Sequence, residues 1–403
     1  MSTAAIRHLV VPNPEELIAR ARAMVPEIRA LARQTEENRG LSPHIVEKIR
    51  AAELLRACRP RMFGGFEYDG EVALRIALTI SAACAATGWT VNGAVSNGLS
   101  LAHWPIEAQR EVWAGDTDPF TFACFAPTGT AVPAPGGYRL TGRWSFASGC
   151  DISAWGKLGA LIKSPGAEPP YEGAFFLLPT EDCQVIDNWF VCGLAGTGSK
   201  DIAVEDLFVP AHRVLHFAET RAGTSSGAAH HDNPIYRIPL LMLGASMLAS
   251  TAIGAAKGAL DAFLEMTGGR TTRGALAGGG LRMTEFATVQ LRLAEAAASV
   301  EAAELVLLTD MREAMAKLRR GEEITVADRI RARRNQAYAT RLAVTAVEAL
   351  NASTGGAGLH LDNPIQRAWR DANAVARHVS LNWDAVGTMY GQHAFGLEPR
   401  GQY

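Results

Sequence analysis

The chain has 403 residues, 48% of them hydrophobic, and its formal net charge is −2. This length suggests two or three domains with full cores, and the near-neutral charge argues against nucleic acid or an anionic membrane as a partner. The six cysteines are scattered without a CxxC pair, so we expect reduced thiols, a cytoplasmic location and no metal site.

Residues 1–118 are predicted to form an N-terminal helical domain. Asn13, Pro14 and Glu16 follow the order of an N-cap, a proline at the first helical position and a capping-box acid. Ser42-Pro43 repeats this start signal. The small and apolar stretch "EVALRIALTISAACAATGWTVNGAV" is predicted to be helical and central.

Residues 119–218 are predicted to form a middle β domain. Pro and Gly interrupt runs rich in β-forming residues, and Pro135-Gly136-Gly137 is a hairpin signal. The segment "YRLTGRWSFASG" alternates as a strand does. If that strand is regular, Trp144, Phe146 and Ser148 share one face, so an aromatic row ends in a hydroxyl.

Residues 219–403 are predicted to form a C-terminal helical bundle, since long alanine-rich stretches follow one another. The run "IPLLMLGASMLASTAIGAAKGAL" is borderline in length for a membrane span, and we expect a buried helix instead. A continuous helix through Trp369 and Val386 would place Asp371, His378 and Asn382 on one face. Helices, then strands, then helices indicate an α+β fold.

Three segments resemble the acyl-CoA dehydrogenase superfamily: "LAGTGSKDIAVEDLFVPAHRV", "GRWSFASG" and "STGGAGLHLDNPIQRAWRDANAV". The resemblance implies an N-terminal α domain, a middle β-barrel or sandwich and a C-terminal four-helix bundle. The chain lacks a Tyr-x-Gly-Thr element after the last of these segments, and it combines "RWSFASGCD" with His378. It therefore resembles the oxygenase components of two-component flavin monooxygenases, which act on 4-hydroxyphenylacetate, steroid rings or indoles.

This resemblance implies an enzyme that takes reduced FMN or FAD from a separate reductase. With O₂, and through a C4a-hydroperoxyflavin, it would hydroxylate a small aromatic or heteroaromatic substrate of the phenol or indole type. An acyl-CoA dehydrogenase with bound FAD and Asp362 as the base is the alternative, and a non-catalytic DNA-binding relative is disfavoured by the charge. The apolar, alanine-rich helices also predict a homotetramer.

The resemblance implies two catalytic residues. Ser148 would hydrogen-bond N5 of the flavin, and His378 would deprotonate or orient the substrate. Without the resemblance, Ser148 simply ends a strand, and His378 pairs with Asp371 or solvent.

We also expect Asn97, Asn382 and Asp362 to contact substrate. Phenol-hydroxylating relatives often carry a histidine where this chain has Asn97, which favours an indole because an amide cannot titrate.

Segments across the chain supply the expected flavin contacts. Trp144 and Phe146 would form an aromatic floor, and small residues would let the backbone approach the flavin, although a Gly-rich tetrapeptide alone is usually just a turn. Arg270 or Arg273 would reach a flavin phosphate across a subunit interface, or both are simply solvated. The full set is Phe125, Thr128, Thr130, Trp144, Phe146, Ser148, Gly196, Thr197, Gly198, Ser199 and Arg270.

Overall fold

The computed structural model describes residues 11–115, 118–164, 166, 168–221, 225–271 and 280–403. Five α-helices come first in the described chain. Asn13 Oδ1 accepts from the Glu16 amide at 2.9 Å, and Ser42 Oγ caps the second helix, so both predicted helix starts are confirmed. The predicted apolar helix is broken at Cys84, whose backbone is extended. The helices are α1 (Pro14–Asn38), α2 (Pro43–Ala51), α3 (Gly70–Ala83), α4 (Ala85–Leu101) and α5 (Ile106–Gly115).

One seven-stranded sheet follows, in the order β5-β6-β2-β1-β3-β4-β7. Its strands are β1 (Phe120–Ala134), β2 (Gly137–Ala147), β3 (Ser153–Ile162), β4 (Glu172–Pro179), β5 (Gln184–Ile186), β6 (Lys200–Pro210) and β7 (Val214–His216). The predicted hairpin at residues 135–137 is confirmed, because it joins the antiparallel strands β1 and β2. The expected barrel or sandwich agrees with this sheet, which folds back over one core: Tyr138 on β2 meets Phe176 on β4 edge-on at 5.6 Å, although β1 and β3 lie between these strands in the sheet order.

The C-terminal helices pack as a bundle. They are α6 (Phe217–Arg221), α7 (Leu240–Thr267), α8 (Ala287–Arg319), α9 (Val326–Ala352), α10 (Pro364–Ala376) and α11 (Trp383–Ala394). Helices α7 to α10 share a core rich in alanine, and α11 packs on α9. Helix α7 is long and apolar enough to cross a membrane, but most of its apolar stretch is buried inside the protein, as predicted.

The two helical regions are continuous through α3 and α7, which pack against each other and share a core. Helix α4 also contacts both α7 and β1. Residues of α4, the end of β2 and the segment after α10 therefore meet where the three parts of the chain join.

Candidate active site

The end of strand β2 departs from the predicted alternation. Phe146 has a φ of +69°, and the pairing of β2 with β6 shifts between Trp144 and Ala147. The prediction that Trp144 and Phe146 share a face is therefore wrong, because the bulge turns Phe146 to the opposite side. Phe146 is 67% exposed and meets Trp189 edge-on at 6.0 Å between ring centroids.

Trp144 belongs to the interior of the sheet domain. Its side chain is 1% exposed, and its Nε1 donates to the carbonyl of Gly159 at 2.6 Å. The ring lies against Gly129 and Gly142, where any larger side chain would overlap it. This position does not support a direct contact of Trp144 with a flavin, and Phe146 is the aromatic that β2 leaves exposed.

Ser148 follows the bulge and takes part in a row of side-chain hydrogen bonds. Its Oγ accepts from Trp89 Nε1 at 3.0 Å and lies 2.6 Å from Ser199 Oγ. Ser199 Oγ in turn lies 2.6 Å from Thr197 Oγ1, which donates to the carbonyl of Leu194 at 2.8 Å. Three predicted site residues, Ser148, Thr197 and Ser199, are thus brought together by direct contacts.

Trp89 on α4 connects the two predicted catalytic residues. Its ring centroid lies 5.8 Å from that of His378, while its Nε1 bonds Ser148. Ser148 and His378 therefore both contact one indole, although 230 residues separate them in the chain. Trp89 is not among the residues predicted from the sequence. Its signal was a lone tryptophan, with one polar N–H, in a helix of otherwise small residues.

His378 does not lie on a helix, contrary to the prediction. Helix α10 ends at Ala376, and His378 caps a short 3₁₀ turn by accepting the Ser380 amide at its Nδ1, at 3.1 Å. Because Nδ1 is an acceptor there, the proton of the neutral ring is on Nε2. Burial, aided by the positive charge of Arg333, lowers the pKa of His378 to about 4. At neutral pH this residue is a neutral hydrogen-bond donor.

The expected shared face of Asp371, His378 and Asn382 is also wrong, since the helix is interrupted. Asn382 Oδ1 accepts from the Ala385 amide at 3.0 Å and so caps α11. This bond occupies the Oδ1 of Asn382, a residue expected to contact substrate. Asp371 is buried and accepts from the Leu194 amide at 2.7 Å. Burial raises the pKa of Asp371 to about 6, although that amide opposes the shift.

Asn97 borders a small cavity together with Phe125 and Leu243, so the expectation that it binds substrate stays a prediction. It is 5% exposed, its Oδ1 accepts from Lys157 Nζ at 2.7 Å, and its Nδ2 donates to the carbonyl of Thr121 at 3.0 Å. Lys157 also donates to Ser100 Oγ and lies over the ring of Trp104. Burial holds the pKa of Lys157 well below its usual range. The amide of Asn97 is thus already hydrogen-bonded within the protein.

The segment 125–130 lies where β1 leaves its regular pairing with β3. The register shifts between Cys124 and Gly129, and the intervening residues are exposed. Phe125 is 55% exposed and packs edge-on against Phe175. Thr128 Oγ1 donates to the carbonyl of Arg143, whereas Thr130 is back in the ladder.

The two glycines expected near the flavin pack against the N-terminal helices instead. A Cβ on Gly196 would lie 2.6 Å from Thr35, and one on Gly198 would lie 2.9 Å from the carbonyl of Arg39. Their small size is thus required by the contact with α1 and the residue after it. Gly198 also borders a cavity of about 170 Å³ with Gly149 and Asp151, so the expected contact of these glycines with a cofactor stays a prediction.

The remaining predicted residues lie apart from this cluster. Arg270 donates to the carbonyl of Thr354 at 2.6 Å and is partly buried, while Arg273 lies outside the described residues. Asp362 is exposed in the turn before α10. Of the predicted set, Phe146, Ser148, Thr197, Ser199 and His378 come together around Trp89 and Trp189.

Comparisons with known proteins agree with this architecture. Residues 246–383 match the family model described as acyl-CoA dehydrogenase, C-terminal domain. The chain is 46% identical to the FADH(2)-dependent resorcinol hydroxylase, oxygenase component, of Rhizobium sp. (strain MTP-10005), covering 96% of each chain.

Two solved structures are similar over nearly their whole length. The 3-HSA hydroxylase from Rhodococcus sp. RHA1 has a TM-score of 0.90 at 34% identity, with 95% of this chain and 97% of that chain covered. XiaF from Streptomyces sp., solved with FADH2 and glycerol, has a TM-score of 0.90 at 30% identity, with 96% of this chain and 97% of that chain covered.

Proposed function

Since this chain belongs to the family of oxygenase components of flavin-dependent monooxygenases, we propose that it uses reduced flavin and O₂ to hydroxylate a small aromatic substrate. A separate reductase supplies the reduced flavin. One observation supports this most: Ser148 and His378 both contact Trp89, and Phe146, two residues before Ser148, exposes its ring. An acceptor, a donor and an aromatic surface thus converge where the parts of the chain join.

The described residues fit a flavin in shape and polarity. Phe146 offers an exposed, flat surface with Trp189 at its edge, which suits stacking on an isoalloxazine ring. Ser148, two residues further along the chain, provides a hydroxyl. When bound, the reduced flavin supplies the electrons that activate O₂. Phe125, Thr128, Thr130 and Arg270 remain proposed contacts to the rest of the cofactor, and FAD is proposed over FMN from the names of the relatives.

His378 is proposed to orient the substrate by donating from Nε2. This nitrogen makes no hydrogen bond with any of the described residues, while Nδ1 is held by the Ser380 amide. A phenolic oxygen accepts such a bond, so a phenol related to the resorcinol of the relative is proposed rather than an indole. The ring is already protonated on Nε2, so it holds a proton at the substrate oxygen and does not remove one.

A homotetramer in a reducing compartment is part of the proposal. Leu264 on α7 and Leu291 and Leu305 on α8 are 52%, 60% and 61% exposed, which is much apolar surface for one bundle. All six cysteines are free, and four of them are buried. These features support assembly through the bundle and a cytoplasmic location. The dehydrogenase alternative has no such support, because Asp362 is exposed on a turn.

The direct test supplies the purified protein with chemically reduced FAD or FMN, ¹⁸O₂ and either resorcinol or indole. The expected result is a product that carries one ¹⁸O atom, formed faster from resorcinol and only when the protein is present. Free reduced flavin with O₂ and substrate is the control. If neither substrate nor any related phenol is hydroxylated, while an acyl-CoA reduces added FAD, the proposal is overturned in favour of a dehydrogenase.

A further inference from the structure

The row of hydroxyls that ends at Ser148 has two different ends. It starts at Trp89 Nε1, which bonds Ser148 Oγ at 3.0 Å, and continues through Ser199 and Thr197 at 2.6 Å per step. It finishes at the carbonyl of Leu194, 2.8 Å from Thr197 Oγ1. Thr197 is 1% and Ser199 4% exposed, so solvent does not replace partners within this row.

The Leu194 end is held firmly. Its amide donates to Asp371 Oδ1 at 2.7 Å. Its carbonyl also accepts from Trp189 Nε1 at 3.2 Å and from the Thr197 amide at 3.1 Å, and the Thr197 hydroxyl makes the shortest of the three contacts. The position and direction of this carbonyl are therefore fixed by both α10 and the sheet domain.

Each hydroxyl has one hydrogen to donate, whereas an indole N–H only donates and a carbonyl only accepts. Only one arrangement makes every contact in the row a hydrogen bond, in which each group donates to the next from Trp89 to Leu194. In the reverse arrangement Thr197 turns its hydrogen towards Ser199. Two oxygens 2.8 Å apart would then face each other with no hydrogen between them. Buried polar groups left unpaired in this way are costly.

We infer that Thr197 and Ser199 are positioning residues that select the oxidation state of the flavin. They draw the hydrogen of Ser148 away from the cofactor, so that Ser148 Oγ retains only acceptor capacity. Reduced flavin carries a hydrogen on N5 and donates to such an oxygen. Oxidised flavin presents a lone pair at N5, which the lone pairs of Ser148 Oγ repel. The inference rests on the proposed function, which places a flavin beside Ser148.

The test measures two dissociation constants, one for oxidised flavin in air and one for reduced flavin under anaerobic conditions. Thr197→Val keeps the side-chain shape but removes the acceptor of Ser199. Ser199 then donates to Ser148, whose own hydrogen turns to the flavin. Oxidised flavin should bind more tightly and reduced flavin more weakly. The ratio of the dissociation constant of oxidised flavin to that of reduced flavin should therefore fall by roughly 5- to 30-fold.

A second variant and two controls isolate the direction of the row. Ser199→Ala frees the hydrogen of Ser148 by another route and should lower the ratio in the same sense. Thr197→Ser keeps the hydroxyl and should retain the wild-type ratio. Trp89→Phe removes a donor without reversing the row, so its ratio should still favour reduced flavin.

The reduction potential of the bound flavin gives an independent readout. A tenfold fall in the ratio corresponds to a potential lower by about 30 mV for a two-electron couple. Equal weakening of both flavin forms in Thr197→Val and Ser199→Ala would mean a merely structural role and would overturn the inference. An unchanged ratio in both variants, with reduced flavin bound and substrate hydroxylated, would overturn it while leaving the proposed function intact. Failure of the wild type to bind either form would instead refute the proposed function.

Discussion

Replacement of His378 distinguishes a hydrogen-bond donor from a general base. The Ser380 amide occupies Nδ1, and the pKa is lowered to about 4, so the ring is neutral with its proton on Nε2 across the physiological range. A donor of this kind is worth about 1–2 kcal/mol, or roughly 5- to 30-fold in kcat/KM. Loss of a general base costs roughly 10²- to 10⁴-fold. The structure therefore predicts the smaller loss for His378→Ala.

The assay is hydroxylation of a phenol with excess reduced flavin, measured from pH 5.5 to 8. His378→Gln keeps a neutral N–H donor and should stay within about fivefold of wild type. The wild-type rate should show no inflection assigned to His378, because the folded ring remains neutral above its pKa. A wild-type inflection between pH 6 and 7 that disappears in His378→Gln, together with a loss above about a hundredfold, would refute this reasoning.

Three further predictions follow from burial and exposure. Asp371, with a folded pKa raised to about 6, destabilises the fold when charged, so stability from this group should rise by about 2–3 kcal/mol as pH falls from above 6 to below 4. Urea unfolding of Asp371→Asn should lack this rise, and parallel pH profiles would contradict the assignment. Phe146→Ala should weaken binding of reduced flavin about tenfold while changing the free energy of unfolding by less than about 0.5 kcal/mol, as titration and denaturation would show. Gel filtration with light scattering should give a colourless tetramer, and a monomer or a stoichiometric yellow complex would count against the proposal.

Local signals in the sequence predicted the elements that depend on neighbouring residues. Asn13 and Ser42 start helices because their side chains satisfy free amides within the first turn. The hairpin at residues 135–137 is likewise set by the conformations open to proline and glycine. Such contacts join residues that are close in the chain, so the local sequence is enough to predict them.

Contacts between distant segments could not be predicted in this way. The position of Phe146 depends on a register shift against β6, and Asn97 is occupied by Lys157, which lies 60 residues away. The helix predicted through His378 is interrupted because two side chains compete for backbone amides. His378 accepts from the Ser380 amide and Asn382 from the Ala385 amide. Ser148 and His378 were chosen through the family resemblance, but only the fold shows that Trp89 contacts both.

The bond between Asp371 and the Leu194 amide joins groups 177 residues apart. During synthesis on the ribosome, the sheet domain emerges well before α10 and has no Asp371 to hold Leu194. The row of hydroxyls that ends at that residue therefore gains the support of Asp371 only when the last tenth of the chain is made. A partly synthesised or truncated chain should bind reduced flavin poorly. The proposed flavin site and His378 would thus be completed together, late in synthesis.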